Sequence, residues 1–298
     1  MTQRCGLVAV IGAPNAGKST LVNALVGQKV AIVSAKAQTT RARLLGIALV
    51  GDVQIVLADT PGIFAPRRRL DRAMVAAAWE GAQQADAILL VVDAVKQRRH
   101  ELEPLLNSLI DRPERRILVL NKVDASPKEK LLDLARELSE KVEFSEVFFV
   151  SALTGDGVAE LKAHLAGLMP EGPWLYPEDQ VSDASERLLA CEITREQLYR
   201  QLHDELPHDC AVRPEAYVQR KDGSLKVQQQ IVVARDSQKA IVLGKQGSRI
   251  KAIGEASRKE LADLLGQKVH LFLHVRVEEG WDEKARDIFE KMGLDWTQ

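Results

Sequence analysis

The stretch "GAPNAGKST" (residues 12–20) decides the fold of the amino-terminal half of the chain. It follows the apolar run "GLVAVIG" (6–12), which is typical of a buried strand, and it leads into "KSTLVNALVG" (18–27), which is typical of a helix that ends at a glycine. Glycines allow successive backbone N–H groups to turn towards a phosphate, and the helix N-terminus adds partial positive charge. The order strand, glycine-rich loop and helix therefore predicts a phosphate-binding P-loop.

The residue types in this loop have distinct chemical roles. The Lys18 ammonium is placed to reach the β- and γ-phosphates of a nucleotide, and the Ser19 hydroxyl is placed to bind Mg²⁺. The other positions, apart from Pro14, which has no backbone N–H, offer backbone amides to the phosphates. The loop residues predicted to bind the nucleotide are Gly12, Ala13, Pro14, Asn15, Ala16, Gly17, Lys18, Ser19 and Thr20.

Strand-like and helix-like segments alternate through the first 170 residues. Short apolar strands between helical stretches indicate an α/β fold, in which a mostly parallel sheet is covered on both faces. Two of the strands are joined by "GD" (51–52), a hairpin signal, so we expect one antiparallel strand. The six predicted strands are 6–12, 43–50, 53–60, 86–94, 115–122 and 145–152.

Polar motifs at the ends of two later strands select the base. In "NKVD" (121–124) the Asp124 carboxylate can accept from the ring N–H and the exocyclic amine of guanine, a donor pair that adenine lacks. We expect Asn121 to brace this loop and the Lys122 stem to lie along the base. In "VSAL" (150–153) the backbone amides of Ser151 and Ala152 are expected to meet the guanine oxygen. The sequence thus predicts GTP and GDP as ligands of Asn121, Lys122, Asp124, Ser151, Ala152 and Leu153.

Two further motifs are expected to complete the metal and γ-phosphate contacts. "DTPG" (59–62) ends a predicted strand, where Asp59 is expected to hold Mg²⁺ through water and Gly62 to turn its amide to the γ-phosphate. In the polar stretch "SAKAQTTR" (34–41), Thr40 is expected to close over Mg²⁺ and the γ-phosphate, with Thr39 as the alternative. The predicted Mg²⁺ ligands are Ser19, Thr40 and Asp59, and the predicted nucleotide contacts of the second motif are Asp59, Thr60, Pro61 and Gly62.

These five motifs, in this order and at strand ends, resemble those of translation-factor-type GTPases. The resemblance implies an α/β P-loop GTPase domain that hydrolyses GTP with Mg²⁺. Ile63 stands where the Ras pattern has a water-orienting glutamine, so hydrolysis is expected to be slow alone or to use another element. Asn15 resembles the residue that, in related GTPases, binds a K⁺ ion acting like an arginine finger; its alternative role is to brace the P-loop. The predicted catalytic residues are Lys18, Thr40, Gly62 and Asn15.

The pattern changes near residue 168, where "MPEGPWLYPEDQVSD" (169–183) indicates a linker. Beyond it, the order helix, strand, strand, helix, "GKQG" (244–247), helix, strand resembles the α+β type II KH fold, whose G-x-x-G loop clamps about four nucleotides of a single strand. Between residues 235 and 259 there are seven basic and two acidic residues, and this local excess of positive charge suits the binding of nucleic acid. The predicted RNA-binding residues are Gly244, Lys245, Gln246, Gly247, Ser248, Arg249 and Lys251.

Together with "GPWLYPEDQVSD" (172–183) and "SERLLACEITREQL" (185–198), these two halves resemble the Era family of bacterial ribosome-assembly GTPases over essentially the whole chain. The resemblance implies a GTPase domain at 1–170, a linker at 171–183 and a KH domain at 184–298. It implies binding to single-stranded small-subunit ribosomal RNA near its 3′ end, and a role in assembly and maturation of the small ribosomal subunit. It also implies a cytoplasmic protein with loose peripheral association with the inner membrane, and we expect a monomer.

The amino-acid composition narrows the classes of protein to which the chain could belong. The 41 basic and 42 acidic residues nearly cancel, so any nucleic-acid site must be local. Three scattered cysteines fit no disulfide framework and point to a reducing cytosol, and the absence of a long amino-terminal apolar segment predicts no export. Two alternatives stay open: a non-enzymatic RNA-binding module with a relict nucleotide site, and a GTPase whose second domain binds protein or DNA.

Overall fold

The computed structural model describes residues 2–33, 44–60, 85–96, 99–202 and 206–281, and at residues 99, 100 and 208 it describes the backbone alone. Among these residues, one compact unit extends to Asp183 and a second begins at Ala184. In the part of the chain so described, no helix is both long enough and apolar enough to cross a bilayer.

A six-stranded sheet with helices forms the first unit. The strands are β1 (Arg4–Ile11), β2 (Leu44–Val50), β3 (Val53–Asp59), β4 (Ala87–Asp93), β5 (Arg115–Asn121) and β6 (Glu146–Val150). The helices among the described residues of this unit are α1 (Lys18–Val26), α2 (Arg99–Leu109), α3 (Lys128–Lys141) and α4 (Val158–Leu168). The strand order is β2-β3-β1-β4-β5-β6, in which β2 pairs antiparallel with β3 and the other pairs are parallel. The predicted mostly parallel six-stranded sheet is confirmed.

Successive side chains of each strand point to opposite faces of this sheet, so apolar strands build one core on each face. In β1, Val8 and Val10 belong to one core while Ala9 and Ile11 belong to the other, and all four are fully buried. Because β1, β3, β4, β5 and β6 run parallel, their carboxyl ends lie at one edge of the sheet. Ligands of open α/β sheets bind at this edge, so the predicted nucleotide motifs are brought together there.

The segment predicted as a linker, 171–183, packs onto β2 and β3. The Gln54 side chain, fully buried on β3, donates to the Tyr176 carbonyl at 2.9 Å and accepts from its amide at 3.1 Å. The Trp174 ring N–H donates to a backbone carbonyl of the β2–β3 turn, and the Asp183 carboxylate accepts from the Leu45 amide at 2.8 Å. These bonds hold the segment against the first unit along its length.

The described residues of the second unit form three strands and three helices, in the order predicted from the sequence. They are α5 (Glu186–Gln201), β7 (Cys210–Gln219), β8 (Leu225–Val233), α6 (Asp236–Leu243), α7 (Ser248–Leu265) and β9 (Val269–Val277). A short 3₁₀ turn, Lys245–Gly247, joins α6 to α7. In the sheet β7-β8-β9 the first pair is antiparallel and the second parallel.

Helix α5 belongs to the core of the second unit. Its Leu198 packs in one apolar cluster with Ile231 of β8 and Ile253 of α7. The buried Thr194 hydroxyl donates to Gln229 of β8 at 2.6 Å. Because these contacts join α5 to both the sheet and α7, the run that follows the linker is an integral part of this unit.

Candidate functional site

The loops at the carboxyl edge of the first sheet surround a cavity of about 460 Å³, a volume typical of small-ligand pockets. Twelve of the residues predicted to bind nucleotide line it: Ala13, Pro14, Asn15, Ala16, Gly17, Thr20, Asn121, Lys122, Asp124, Ser151, Ala152 and Leu153. Gly12, Lys18 and Ser19 belong to the P-loop and the start of the helix that follows it, and Asp59 ends β3. Thr40, Pro61 and Gly62 lie outside the described residues.

The P-loop has a backbone that ordinary residues avoid. Gly17, the N-cap of α1, has φ 94°, and a Cβ there would collide with the Asn121 side-chain amide. Asn15 has φ 65°, in the left-handed region that non-glycine residues rarely adopt. Among the described non-glycine residues, only Asn15, Lys122 and Gln246 have positive φ, and each lies in a predicted binding motif. Such conformations are costly and cluster at functional sites.

Lys18 is buried beneath this loop. Its ammonium donates to the carbonyls of Gly12 and Ala13, at 3.1 Å each. Burial lowers the pKa of Lys18 to about 8, although the nearby Asp59 carboxylate opposes the shift. A buried cation without a full counter-charge is costly, so a phosphate group in this loop would stabilise it.

The Ser19 hydroxyl and the Asp59 carboxylate form an oxygen pair beside Lys18. Ser19 Oγ donates to Asp59 Oδ2 at 2.7 Å, and Asp59 is fully buried. Hydroxyl and carboxylate oxygens are ligands that Mg²⁺ prefers. The two residues therefore fit a magnesium ion at the phosphate end of the site.

The side chain of Thr60, a residue predicted to contact the nucleotide, forms a hydrogen bond within the sheet. Its hydroxyl donates to the Val10 carbonyl at 2.8 Å, and the residue is fully buried. The bond ties the end of β3 to β1. Thr60 thus helps to position Asp59, and its side chain does not face the cavity.

Asn121 connects three loops of the site. Its side-chain amide donates to the Ala16 carbonyl at 2.9 Å, and its oxygen accepts from the Lys122 amide at 2.8 Å and the Ala152 amide at 3.0 Å. Asn121 is buried, with 2% of its surface exposed. One side chain therefore sets the P-loop, the "NKVD" loop and the "VSAL" loop relative to one another.

The ammonium of Lys122 is held by the protein. It donates to the Asn15 carbonyl at 2.8 Å and to Asp93 Oδ2 at 2.6 Å. The other Asp93 oxygen accepts from the amides of Val95 and Lys96. Burial would raise the pKa of Asp93, but the hydrogen bonds from Lys122 and from these amides outweigh it, so the pKa is lowered.

Sequence reasoning missed Asp93. It ends β4, and it lies directly beside Asn121 in the parallel pairing of β4 with β5. An acidic residue at the end of the strand before "NKVD" was the available signal, because neighbouring parallel strands bring their carboxyl ends together. Asp93 also lines the cavity.

The amides predicted to meet the guanine oxygen have partners within the protein. Ser151 N–H donates to the Asp156 carbonyl at 2.9 Å, and Ala152 N–H donates to Asn121 at 3.0 Å. These bonds close the turn after β6, so the predicted role of the two amides is not supported by this geometry. Asp124 and Leu153, both exposed, remain on the rim of the cavity.

The "GKQG" loop of the second unit is an open, tightly turned connection. Gly244 has φ 71°, and a Cβ on it would lie 2.7 Å from the Cβ of Arg249. Gln246 has φ 53°, and Gly247 is the N-cap of α7. Four of the predicted RNA-binding residues are exposed: Lys245, Gln246, Ser248 and Lys251. The loop therefore offers amides, cations and a helix N-terminus to an anionic strand.

Comparisons with known proteins agree with this geometry. A family model described as a 50S ribosome-binding GTPase matches residues 7–122, and a KH domain model matches residues 205–282. The chain is 73% identical to a GTPase Era of Erythrobacter litoralis, over 99% of this chain and 98% of that protein. It is 54% identical to a GTPase Era of a Bradyrhizobium species, over 99% and 96%.

Two solved structures are similar to the whole chain, each with TM-score 0.91, 36% identity, and coverage of 99% of this chain and 100% of the other. One is Era in complex with MgGDPNP and nucleotides 1506–1542 of 16S ribosomal RNA; the other is an Aquifex aeolicus Era variant bound to GDP.AlF4⁻. The fold and site define a P-loop GTPase domain followed by a KH domain. With these relatives over its full length, the chain belongs to the Era family of GTPases.

Proposed function

We propose that this protein is a GTP-controlled switch that binds single-stranded small-subunit ribosomal RNA near its 3′ end and acts in the assembly and maturation of the small subunit. The exposed, basic "GKQG" loop carries the RNA part of the proposal, because glycine-flanked amides and Lys245 suit the close approach of phosphates. The bound 16S ribosomal RNA of the structural relative supports the choice of RNA.

In the nucleotide site, Lys18 and the P-loop amides would bind the phosphates, and Asp124 would read guanine. Ser19 and Asp59, 2.7 Å apart, would hold Mg²⁺. The bound ion would neutralise charge that develops on the phosphates during hydrolysis. Thr40 and Gly62 complete the proposed catalytic set, both of them outside the described residues.

Asn15 is proposed as a K⁺ ligand. Its left-handed backbone and its place on the cavity wall support this role. We expect low intrinsic turnover that K⁺ stimulates more than Na⁺, and Asn15→Ala should remove mainly this stimulation while Lys18→Ala impairs nucleotide binding. Equal rates in the two salts would refute the K⁺ site and leave the GTPase assignment intact.

RNA binding is tested by changing "GKQG" to "GDDG" with Lys245→Asp and Gln246→Asp. Both side chains are exposed, so folding should survive, and GTP hydrolysis without RNA should be unchanged. Affinity for the 1506–1542 fragment should fall, and its salt dependence should weaken as phosphate contacts are lost. An unchanged affinity at matched salt, with an unaltered circular dichroism spectrum, would refute RNA binding through this loop.

Location, assembly state and domain limits are also proposals. We propose a cytoplasmic monomer with loose peripheral contact to the inner membrane, divided into a GTPase domain (1–170), a linker (171–183) and a KH domain (184–298). The cysteines Cys5, Cys191 and Cys210 are buried and form no disulfide, which suits a reducing compartment. The membrane contact rests on the family resemblance, and flotation with anionic vesicles tests it: protein that stays with the unbound fraction would refute it.

A further inference from the structure

Strand β9 lies at one edge of the sheet in the second unit. It pairs with β8 on one side, and among the described residues no strand pairs with its other side. Its nine residues make it a long strand. An edge of this kind is a template on which another extended chain can add as a further strand.

The hydrogen bonds to β8 identify the backbone groups of β9 that face the open edge. The Lys268 carbonyl accepts from the Leu225 amide, and the Glu278 amide donates to the Val233 carbonyl, each at 2.8 Å. Alternate residues of a parallel strand turn their backbone groups to the same neighbour, so the even-numbered residues of β9 face β8. The backbone groups that face the open edge belong to Val269, Leu271, Leu273, Val275 and Val277.

A groove of about 520 Å³ runs along the amino-terminal half of this edge. The five consecutive residues 268–272 line one side of it, and the carboxyl half of α7 lines the other. Successive side chains of a strand point to opposite faces of the sheet, so a groove that touches all five residues follows the edge of the strand. The groove therefore lies where an added strand would run.

Cations and apolar side chains line this groove. Arg258, Lys259 and Lys268 are exposed, and Ala262 and Leu271 are partly buried. Among the described residues that line the groove, none is acidic. Charge complementarity therefore selects an acidic occupant. It disfavours a second copy of β9, because pairing of two copies would bring like cations together.

We propose that the open edge of β9 is a docking site for a protein partner, which adds an extended acidic peptide as a further strand and places its carboxylates beside Arg258, Lys259 and Lys268. Backbone hydrogen bonds to β9 supply affinity, and the lining side chains supply specificity. A peptide backbone matches the alternating N–H and C=O groups of this edge, whereas the phosphate oxygens of RNA can only accept. This interaction goes beyond the proposed function, because it uses neither the nucleotide site nor the "GKQG" loop.

Binding of a synthetic peptide to the full-length protein tests this docking site. The probe is a fluorescein-labelled peptide that alternates Glu and Val over nine residues, the length of β9, and its binding is measured by fluorescence anisotropy. A slip of one residue moves every Glu side chain to the other face of the sheet, so one probe can present carboxylates to either face. A peptide of the same length that alternates Lys and Val is the charge control and should not bind.

Charge reversal tests the cations. Arg258→Glu with Lys259→Glu changes two exposed side chains, so the domain should fold, which circular dichroism checks. An exposed ion pair contributes up to about fivefold in affinity, so the double variant should weaken binding of the Glu–Val peptide by about tenfold or more. Lys128→Glu with Lys130→Glu, two exposed residues of α3 in the first unit, is the matched control and should leave the affinity unchanged.

A change in the peptide backbone tests strand addition. The Glu–Val peptide methylated at every amide nitrogen keeps its carboxylates and loses all its N–H donors, so it cannot form the ladder of hydrogen bonds with β9. It should not bind. If it binds as tightly as the parent peptide, the contact is electrostatic only and the inference is overturned.

The remaining outcomes separate this inference from the proposed function. If the Glu–Val peptide does not bind the wild type, or binds the Arg258→Glu, Lys259→Glu variant equally well, the inference is overturned and RNA binding through "GKQG" is untouched. If the peptide does not bind and this variant instead weakens binding of the 1506–1542 fragment, the groove is a nucleic-acid surface and the inference is again overturned. The "GDDG" variant should bind the peptide like the wild type, so a failure of RNA binding through that loop leaves this inference standing.

Discussion

Asp93→Asn should weaken nucleotide binding, although Asp93 belongs to none of the motifs recognised in the sequence. One Asp93 oxygen accepts from Lys122 at 2.6 Å, and the other accepts from the Val95 and Lys96 amides. Asparagine has one oxygen, which the two amides would keep, so its NH₂ group would face the ammonium. Lys122 would then be held by the Asn15 carbonyl alone.

The loss of nucleotide affinity can be calculated from the free energy that binding must then spend on ordering the Lys122 side chain. Ordering a side chain of this kind on binding costs roughly 0.5–1.5 kcal/mol, which corresponds to a loss of about fivefold in affinity. The lost charge-assisted bond should also lower the free energy of unfolding by about 1 kcal/mol, less than for a buried pair because the Lys122 side chain is 37% exposed.

Isothermal titration with GDP and urea unfolding would measure the two effects separately. Asp86→Asn is the matched control, because Asp86 lies just before the amino-terminal end of β4, at the other edge of the sheet from Asp93. Asp86 accepts from the Leu7 amide at 2.8 Å. The asparagine oxygen can still accept from Leu7, so both the free energy of unfolding and the GDP affinity should change little. If Asp93→Asn lost stability but bound GDP within twofold of the wild type, the ion pair would be structural only and the reasoning wrong.

Three further expectations concern the base, the buried lysine and the KH core. Asp124→Asn should shift preference from guanine to xanthine nucleotides, because an amide can donate to the carbonyl that replaces the amine; an unchanged preference for GTP in competition titrations would contradict the assignment. The pKa of Lys18 is about 8 in the folded protein and about 10.4 in the unfolded chain. Between about pH 8 and 10.4 the unfolded chain therefore binds one more proton than the folded protein, so the free energy of unfolding of the wild type should rise with pH in this window, relative to that of Lys18→Met. Chemical denaturation at pH 7, 8 and 9 measures this difference, and a fall above pH 8 would contradict it. Thr194→Val leaves Gln229 without its 2.6 Å bond and should cost about 1–3 kcal/mol in urea unfolding, whereas a neutral result would mean that the core relaxes.

The sequence by itself determined the architecture and the main motifs. The P-loop needs a strand, a glycine turn and a helix in immediate succession, so its conformation is encoded within residues 6–27. The same holds for the KH unit, where the "GKQG" turn between two helices depends on local backbone freedom. The order of apolar strands also specified a mostly parallel sheet, because strands buried on both faces have continuous apolar runs. The contributions of Thr40, Gly62 and Ile63 remain predictions.

Tertiary structure decided which partners the polar groups take. Asp93 and Lys122 are far apart in the chain and meet only because β4 pairs with β5. The Ser151 amide takes the Asp156 carbonyl because the turn after β6 closes on itself, and the Thr60 hydroxyl takes a carbonyl of β1 because β3 lies beside that strand. Hydrogen-bonding groups in a buried site take whatever partner the neighbouring strands bring within about 3 Å, and strand adjacency is a property of the folded sheet rather than of any local run of residues.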